Sequence, residues 1–199
     1  EDLVDPVADI APADELNCNI SEIQLNANNS SIGSSFVYQW QAPSGTSIVS
    51  GGDGLTPIVN QTGNYTLTVI NQSNGCVEST NVTVSGDFVA PQAEATVNDI
   101  LDCVTESLSL FGNGSSTGPN ISYQWSGSSI LDGANGLSPL VNAPGNYTLV
   151  VTDQNNGCTA ETLVTVDSNE DVPTLIDLVI DPPLCDGENG AAAVLSVVG

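Results

Sequence analysis

Apolar and polar side chains alternate along residues 63–71, where Tyr65, Leu67 and Val69 are separated by threonines, and the run closes on Asn74-Gly75-Cys76. Period-two alternation predicts a half-buried β-strand, and Asn-Gly predicts a tight turn after it. The pattern of 63–76 returns at 145–158, with Tyr147, Leu149 and Val151 on the alternating face and ten of fourteen positions identical. Upstream, Ile23, Leu25 and Ala27 share one face of a predicted strand, and Phe36, Tyr38 and Trp40 share a face of the next. Short strands are also predicted at 47–49, 56–59 and 78–84, the last with Val82 and Val84 inward, between turns at Gly45, Gly51, Gly52 and Gly54. About seven short strands in roughly 80 residues, with no helical periodicity, predict an antiparallel β-sandwich.

A second copy keeps this order at a constant offset, which shortens once, at a small deletion past Trp125. Leu108 and Leu110 match Ile23 and Leu25, and Ser115, Ser116 and Gly118 match Ser30, Ser31 and Gly33. Tyr123 and Trp125 match Tyr38 and Trp40, and Pro139, Gly145 and Tyr147 match Pro57, Gly63 and Tyr65. Loops absorb such a deletion and strands do not. Pro6, Pro91 and Pro173 each stand at the same distance before a cysteine (Cys18, Cys103, Cys185), so a third copy begins. The expected organisation is one repeat over 1–86, a second over 87–170 and the start of a third, incomplete one over 171–199. In the third, 184–190 form a turn and 191–198 a strand. Two strands do not bury a sandwich core, so either the third domain is cut or another chain completes it. The chain opens at Glu1 without a signal peptide and is expected to be a mature or excised piece of a longer protein.

Cys18 and Cys76 flank the first copy, and Cys103 and Cys158 stand in the matched frame of the second, at nearly the same spacing. This spacing predicts two disulfides within the copies, Cys18–Cys76 and Cys103–Cys158, with free structural thiols as the alternative. A Cys76–Cys103 bond is disfavoured because it leaves matched Cys18 and Cys158 unpaired. Cys185 is expected to find its mate past Gly199. With no Cys-x-x-Cys pair and no His, zinc is not expected.

The 199 residues include 24 Asp and Glu and no Lys, Arg or His. Side-chain ion pairs within the chain are therefore excluded, as are a phosphate clamp, nucleic-acid binding through Lys and Arg, and a basic patch for anionic membrane. Nucleophilic triads lack a His or Lys base and no carboxylate pair stands in a suggestive motif, so no catalytic residue is assigned and an enzyme is not expected. Trypsin has no cleavage site, which suits exposure to proteases. The longest near-apolar run, 190–199, is too short to insert across a membrane. Hydrophobic residues make up 40%, enough to expect a folded core. Five Cys with no Met point to an oxidising compartment.

Uncompensated carboxylates favour divalent cations as partners. Asp167, Asn169, Glu170 and Asp171 cluster before Pro173, and this segment loosely resembles the calcium-binding linkers of cadherins. That resemblance implies calcium as a cofactor, with other loops completing the oxygen shell, but a solvated flexible linker is the favoured reading of the residues themselves. The corresponding linker at 85–91 carries only Asp87. Trp40 and Trp125 alternate in phase with other large residues, which favours core positions over a sugar-stacking platform. Tyr65 and Tyr147, each following Gly-Asn at a strand start, predict tyrosine corners. Glycosylation sequons at Asn29, Asn64 and Asn146 arise by chance in a chain so rich in Asn, Ser and Thr.

In register twice, Pro-x11-Cys, Ser-Ser-x-Gly, Tyr-x-Trp, Pro-x-Val, Gly-x-Tyr-Thr-Leu-x-Val and Asn-Gly-Cys resemble the Ig-like and PKD-like tandem repeats of very large Bacteroidota surface proteins. Those proteins are exported by the type 9 secretion system and include gliding-motility adhesins, whose repeat type residues 185–190 resemble. The resemblance covers both full copies. It implies an all-β chain of tandem Ig-like/PKD-like antiparallel sandwiches in a rod-like array, extracellular at the cell surface and not enzymatic. The expected role is the stalk or spacer of an adhesin, with neighbouring repeats as partners. A second expectation is a polymerised filament in which a neighbour's strand completes the third domain, prompted by the apolar strand at 191–198. A third is a glycan-binding module using loop-tip aromatics such as Phe88 or Phe111. The absence of Lys departs from adhesin domains that carry Lys–Asn isopeptide crosslinks and rules that crosslink out.

Overall fold

The computed structural model describes residues 4–169 and, as paired backbone only, strands within 174–180 and 192–198. The first copy contributes β1 (Leu16–Asn17), β2 (Ile23–Gln24), β3 (Phe36–Gln41), β4 (Ile58–Val59), β5 (Gly63–Asn71), β6 (Val77–Val84) and β7 (Gly86–Asp87). The second contributes β8 (Leu108–Ser109), β9 (Ile121–Gly127), β10 (Ile130–Asp132), β11 (Leu140–Val141), β12 (Gly145–Asp153) and β13 (Thr159–Val166). Among the described residues there is no helix.

Each copy is a β-sandwich of two facing antiparallel sheets. Strands β3, β5 and β6 form one antiparallel sheet and β2 pairs β4 in the facing one; β9, β12 and β13 face β8, β10 and β11 in the same way. Tyr65, Leu67 and Val69 on β5 are fully buried, as are Tyr147, Leu149 and Val151 on β12. They pack against Ile23, Leu25, Ala27 and Val59 in the first copy and against Leu108, Leu110 and Val141 in the second. Each fully buried Leu or Val side chain contributes about 1.5–3 kcal/mol, so these facing rows hold the sheets together without a single side-chain ion pair. Val84 is buried and Val82 packs against the core, as the alternation in that strand predicts.

The segment that leads into each copy runs parallel to the segment that ends it, as strand β1 beside β7 in the first copy and as a single bridge in the second. Leu16 stands opposite Gly86 and Asn17 opposite Asp87, and Leu101 forms the matching parallel bridge with Ser168. The predicted strand at 47–49 does not form. Only Ser50 bridges Ile58, because the chain turns at once through Gly51, whose φ of +70° is open to glycine. The predicted strand at 56–59 shortens to β4, since Pro57 has no N–H to donate; its carbonyl still accepts from Leu25 N–H at 2.9 Å. Past residue 169, β14 (Thr174–Ile180) pairs antiparallel with β15 (Ala192–Val198). The strand expected at 191–198 is β15; β14 was not anticipated, and the expected turn at 184–190 lies outside the described residues.

Candidate functional site

The structure does not form the two disulfides expected within the copies. Cys18 is bonded instead to Cys158, across 140 residues and from one copy to the other, with Cα atoms 5.0 Å apart. Strand geometry rules out the pairs within the copies. Cys18 follows β1, which runs parallel to β7, so it sits where the first copy ends. Cys76 precedes β6 at the opposite end of the sheet. The length of β6, at about 3.3 Å per residue, separates those ends by roughly 26 Å, far beyond disulfide reach. Strand β13 separates Cys103 from Cys158 in the same way.

The Asn-Gly-Cys turns have one construction in both copies. Asn71 N–H donates to the Cys76 carbonyl (2.9 Å) and Gly75 N–H to the Asn71 carbonyl (2.7 Å). Asp153, Cys158 and Gly157 repeat those bonds at 2.9 and 2.7 Å. Asn74 Oδ1 accepts from Cys76 N–H and Asn156 Oδ1 from Cys158 N–H, both at 2.9 Å. Each Asn also reaches back to the chain that leads into its own copy: Asn74 Nδ2 donates to the Val4 carbonyl and Asn156 Nδ2 to the Val89 carbonyl, both at 3.0 Å.

The surroundings of the two turns differ. The second packs on the end of the first copy, where Cys18 N–H donates to the Asn156 carbonyl at 3.0 Å beside the disulfide. Asn156 and Cys158 are buried, whereas Asn74 and Cys76 are half-exposed. Gly157 and Gly75 both have a left-handed backbone, φ +72° and +79°, but a methyl at 157 would strike the Asn19 side chain while one at 75 would meet nothing. Gly75→Ala and Gly157→Ala are each expected to lose about 1–2 kcal/mol to backbone strain. Gly157→Ala must also turn the exposed Asn19 side chain aside, so its loss should be at least as large as that of Gly75→Ala. Denaturant unfolding of both variants measures this, and a smaller loss at 157 would contradict the contact between the copies.

A second device anchors the leading segment of each copy and explains the Ser-Ser-x-Gly motif. The buried Ser30 hydroxyl accepts from Asp9 N–H (3.0 Å) and donates to the Asp9 carbonyl (3.0 Å), while Ser31 Oγ accepts from Val7 N–H (2.9 Å). In the second copy Ser115 makes the same pair of bonds to Glu94 and Ser116 takes Gln92 N–H. Tyr38 and Tyr123 donate to the Ser31 and Ser116 carbonyls, each at 2.9 Å. The repeat of serines was visible in the sequence; that they clamp a distant segment was not, because no local pattern marks it. Ser115→Ala strips Glu94 N–H and carbonyl of their shared partner and is expected to cost about 1–3 kcal/mol, read as a lowered Tm. An unchanged Tm would show that the clamp is dispensable.

The aromatic residues are structural. Tyr65 and Tyr147 are tyrosine corners, donating to the Gln61 (3.0 Å) and Ala143 (2.7 Å) carbonyls. Burial pushes the Tyr65 phenol above its ordinary pKa. Trp40 Nε1 donates to the Gly54 carbonyl and Trp125 Nε1 to the Gly136 carbonyl, both at 2.9 Å. The Phe88 ring lies against Gly86 with half its surface exposed, and Phe111 pairs with Thr96.

Of the expected calcium ligands, Asp167 and Asn169 are described, and both use their main chain on Leu101: Leu101 N–H donates to the Asp167 carbonyl (3.0 Å), and Asn169 N–H donates to the Leu101 carbonyl (2.8 Å). Glu170 and Asp171 lie outside the described residues. Among the described residues no three His, Cys, Asp or Glu side chains converge as a metal site.

No protein-family model and no curated protein matches the chain. Solved structures with a similar arrangement include extracellular domains 3–5 of Drosophila OTK (14% identity, 82% of this chain, 62% of that one, TM-score 0.37). The three N-terminal domains of the highly immunogenic outer capsid protein of bacteriophage RB49 share 14% identity over 98% of this chain and 70% of that one, with a TM-score of 0.39. The eight N-terminal Ig domains of Down syndrome cell adhesion molecule share 12% over 82% of this chain and 25% of that one, with a TM-score of 0.39. Such distant likenesses say nothing of what this chain binds.

Proposed function

We propose that the chain is a non-catalytic, extracellular structural segment, the stalk or spacer of a bacterial cell-surface adhesin of the Bacteroidota, type 9-exported kind. Its domains would span 1–86, 87–170 and 171–199, each repeat having the next as its partner. The observation that carries this reading is the junction. A disulfide and a main-chain hydrogen bond tie Cys18 to the turn of the following copy, so a pull along the array passes through a covalent bond. That bond suits an oxidising, extracellular setting. The surface presents carboxylates, amides and hydroxyls with no basic side chain, which supports a passive spacer and leaves trypsin-like proteases no site.

Glycan recognition is less well supported. Trp125 is buried, Trp40 packs against the core, and Phe88 covers a glycine. Light scattering with electron microscopy of native secreted material tests the spacer reading. Discrete monomeric rods are expected. Filaments with a regular axial repeat would overturn it in favour of a polymer, and attention would move to the strand that completes the β14–β15 pair.

A further inference from the structure

The turn that carries Cys103 is built like the turn that carries Cys18. Asp102 N–H donates to the Thr105 carbonyl (3.2 Å), as Asn17 N–H donates to the Ile20 carbonyl (2.9 Å). Asp102 Oδ1 accepts from the Val104 and Thr105 N–H groups, as Asn17 Oδ1 accepts from those of Asn19 and Ile20. Both turns follow the same parallel pairing, Leu16 with Gly86 and Leu101 with Ser168. At the first turn the cysteine sulfur is bonded and its N–H donates to the Asn156 carbonyl.

At the second turn neither interaction is made among the described residues. Cys103 is an exposed thiol, its N–H has no acceptor there, and Val104 beside it is 90% exposed. A hollow of about 320 Å³, lined by Leu101, Thr105, Asn142 and Pro144, opens next to the sulfur.

We propose that Cys103 and its turn are a covalent acceptor for the Asn-Gly-Cys turn of a further repeat, joined as Cys158 is joined to Cys18. The occupant is identified by what sits on the first turn: a hairpin tip whose Asn carbonyl accepts the cysteine N–H and whose Gly leaves room for the side chain of the residue after that cysteine, Asn19 at the first turn. Bond formation removes one proton and one electron from each thiol. A small-molecule disulfide such as oxidised glutathione takes them up and is released as two thiols. The inference extends the spacer reading and rests on it, since it makes each repeat bond the next.

The test inserts a second copy of residues 88–169 after Asn169 in the full chain, which is then oxidised in glutathione buffer, alkylated and mapped without reduction. The expected result is a disulfide from Cys103 to the inserted counterpart of Cys158, with Cys103 alkylation falling about tenfold or more. Serine at that counterpart should restore alkylation. The native Cys18–Cys158 bond reports that the fold is intact. Cys103 remaining as reactive as in the parent, with Cys18–Cys158 formed, would overturn the proposal.

Should the inserted copy not fold, the parent chain is offered a peptide of residues 145–166 in the same buffer. The peptide's disulfide at Cys103 in about tenfold excess over glutathione's supports the proposal, and glutathione alone at Cys103 overturns it. Rods without the new bond would leave the spacer reading standing, whereas compact particles would remove that reading whether or not the bond forms.

Discussion

Cys158→Ser is expected to uncouple the two copies while leaving both sandwiches folded. Cys158 is buried at the junction, but it is absent from the hydrophobic cluster built on Leu110, Trp125, Tyr147 and Leu149, so that core survives its loss. The lost term is the crosslink itself. Closing a loop of 140 residues limits the unfolded chain by about 5 kcal/mol on the chain-entropy account, an upper value. The remaining hydrogen bond from Cys18 N–H to the Asn156 carbonyl contributes about 1 kcal/mol, too little to hold the junction alone. Denaturant unfolding of the oxidised protein should therefore show a large loss on substitution, with the β-sheet signal in water unchanged. Cys18→Ser and chemical reduction should reproduce it, whereas Cys76→Ser leaves the crosslink in place. A Cys158→Ser protein as stable as the parent would contradict a structural role for the bond.

Trp125→Ala is expected to cost about 3–5 kcal/mol, and Trp40→Ala clearly less. Both indoles donate the same hydrogen bond to a glycine carbonyl, so the difference is packing. Trp125 is 2% exposed inside a single cluster, with Leu149 opposite it on β12. Trp40 is half-buried at the boundary between two smaller clusters. Removing Trp125 leaves a cavity that the sheets cannot close, while water fills part of the space at Trp40. Thermal melts of the two variants decide the matter, and a larger loss at Trp40 would mean that the first copy is packed like the second.

The sandwich was legible because alternation is a direct record of burial. Tyr65, Leu67 and Val69, and their counterparts on β12, are inside for the reason their spacing suggests. The tyrosine corners were legible because Gly-Asn-Tyr marks a strand start. The disulfide was not. The matched spacings of Cys18 to Cys76 and of Cys103 to Cys158 satisfy a bond within each copy, and nothing local reveals that β1 runs parallel to β7 and carries Cys18 to the far end of the sheet. The Ser30 and Ser115 clamps were hidden for a related reason, since their partners lie 21 residues away in segments with no periodicity. Short strands were misjudged where Gly51 and Pro57 break the ladder, because strand propensity is set by context as much as by residue type.

The central claim is that consecutive copies are bonded to each other and not within themselves. Mapping the disulfides of the oxidised, unreduced protein tests it most directly, using Asp- and Glu-specific proteases because trypsin has no site. The account predicts a peptide pair joining Cys18 to Cys158, together with an alkylated Cys103. Peptide pairs joining Cys18 to Cys76 and Cys103 to Cys158 would contradict it.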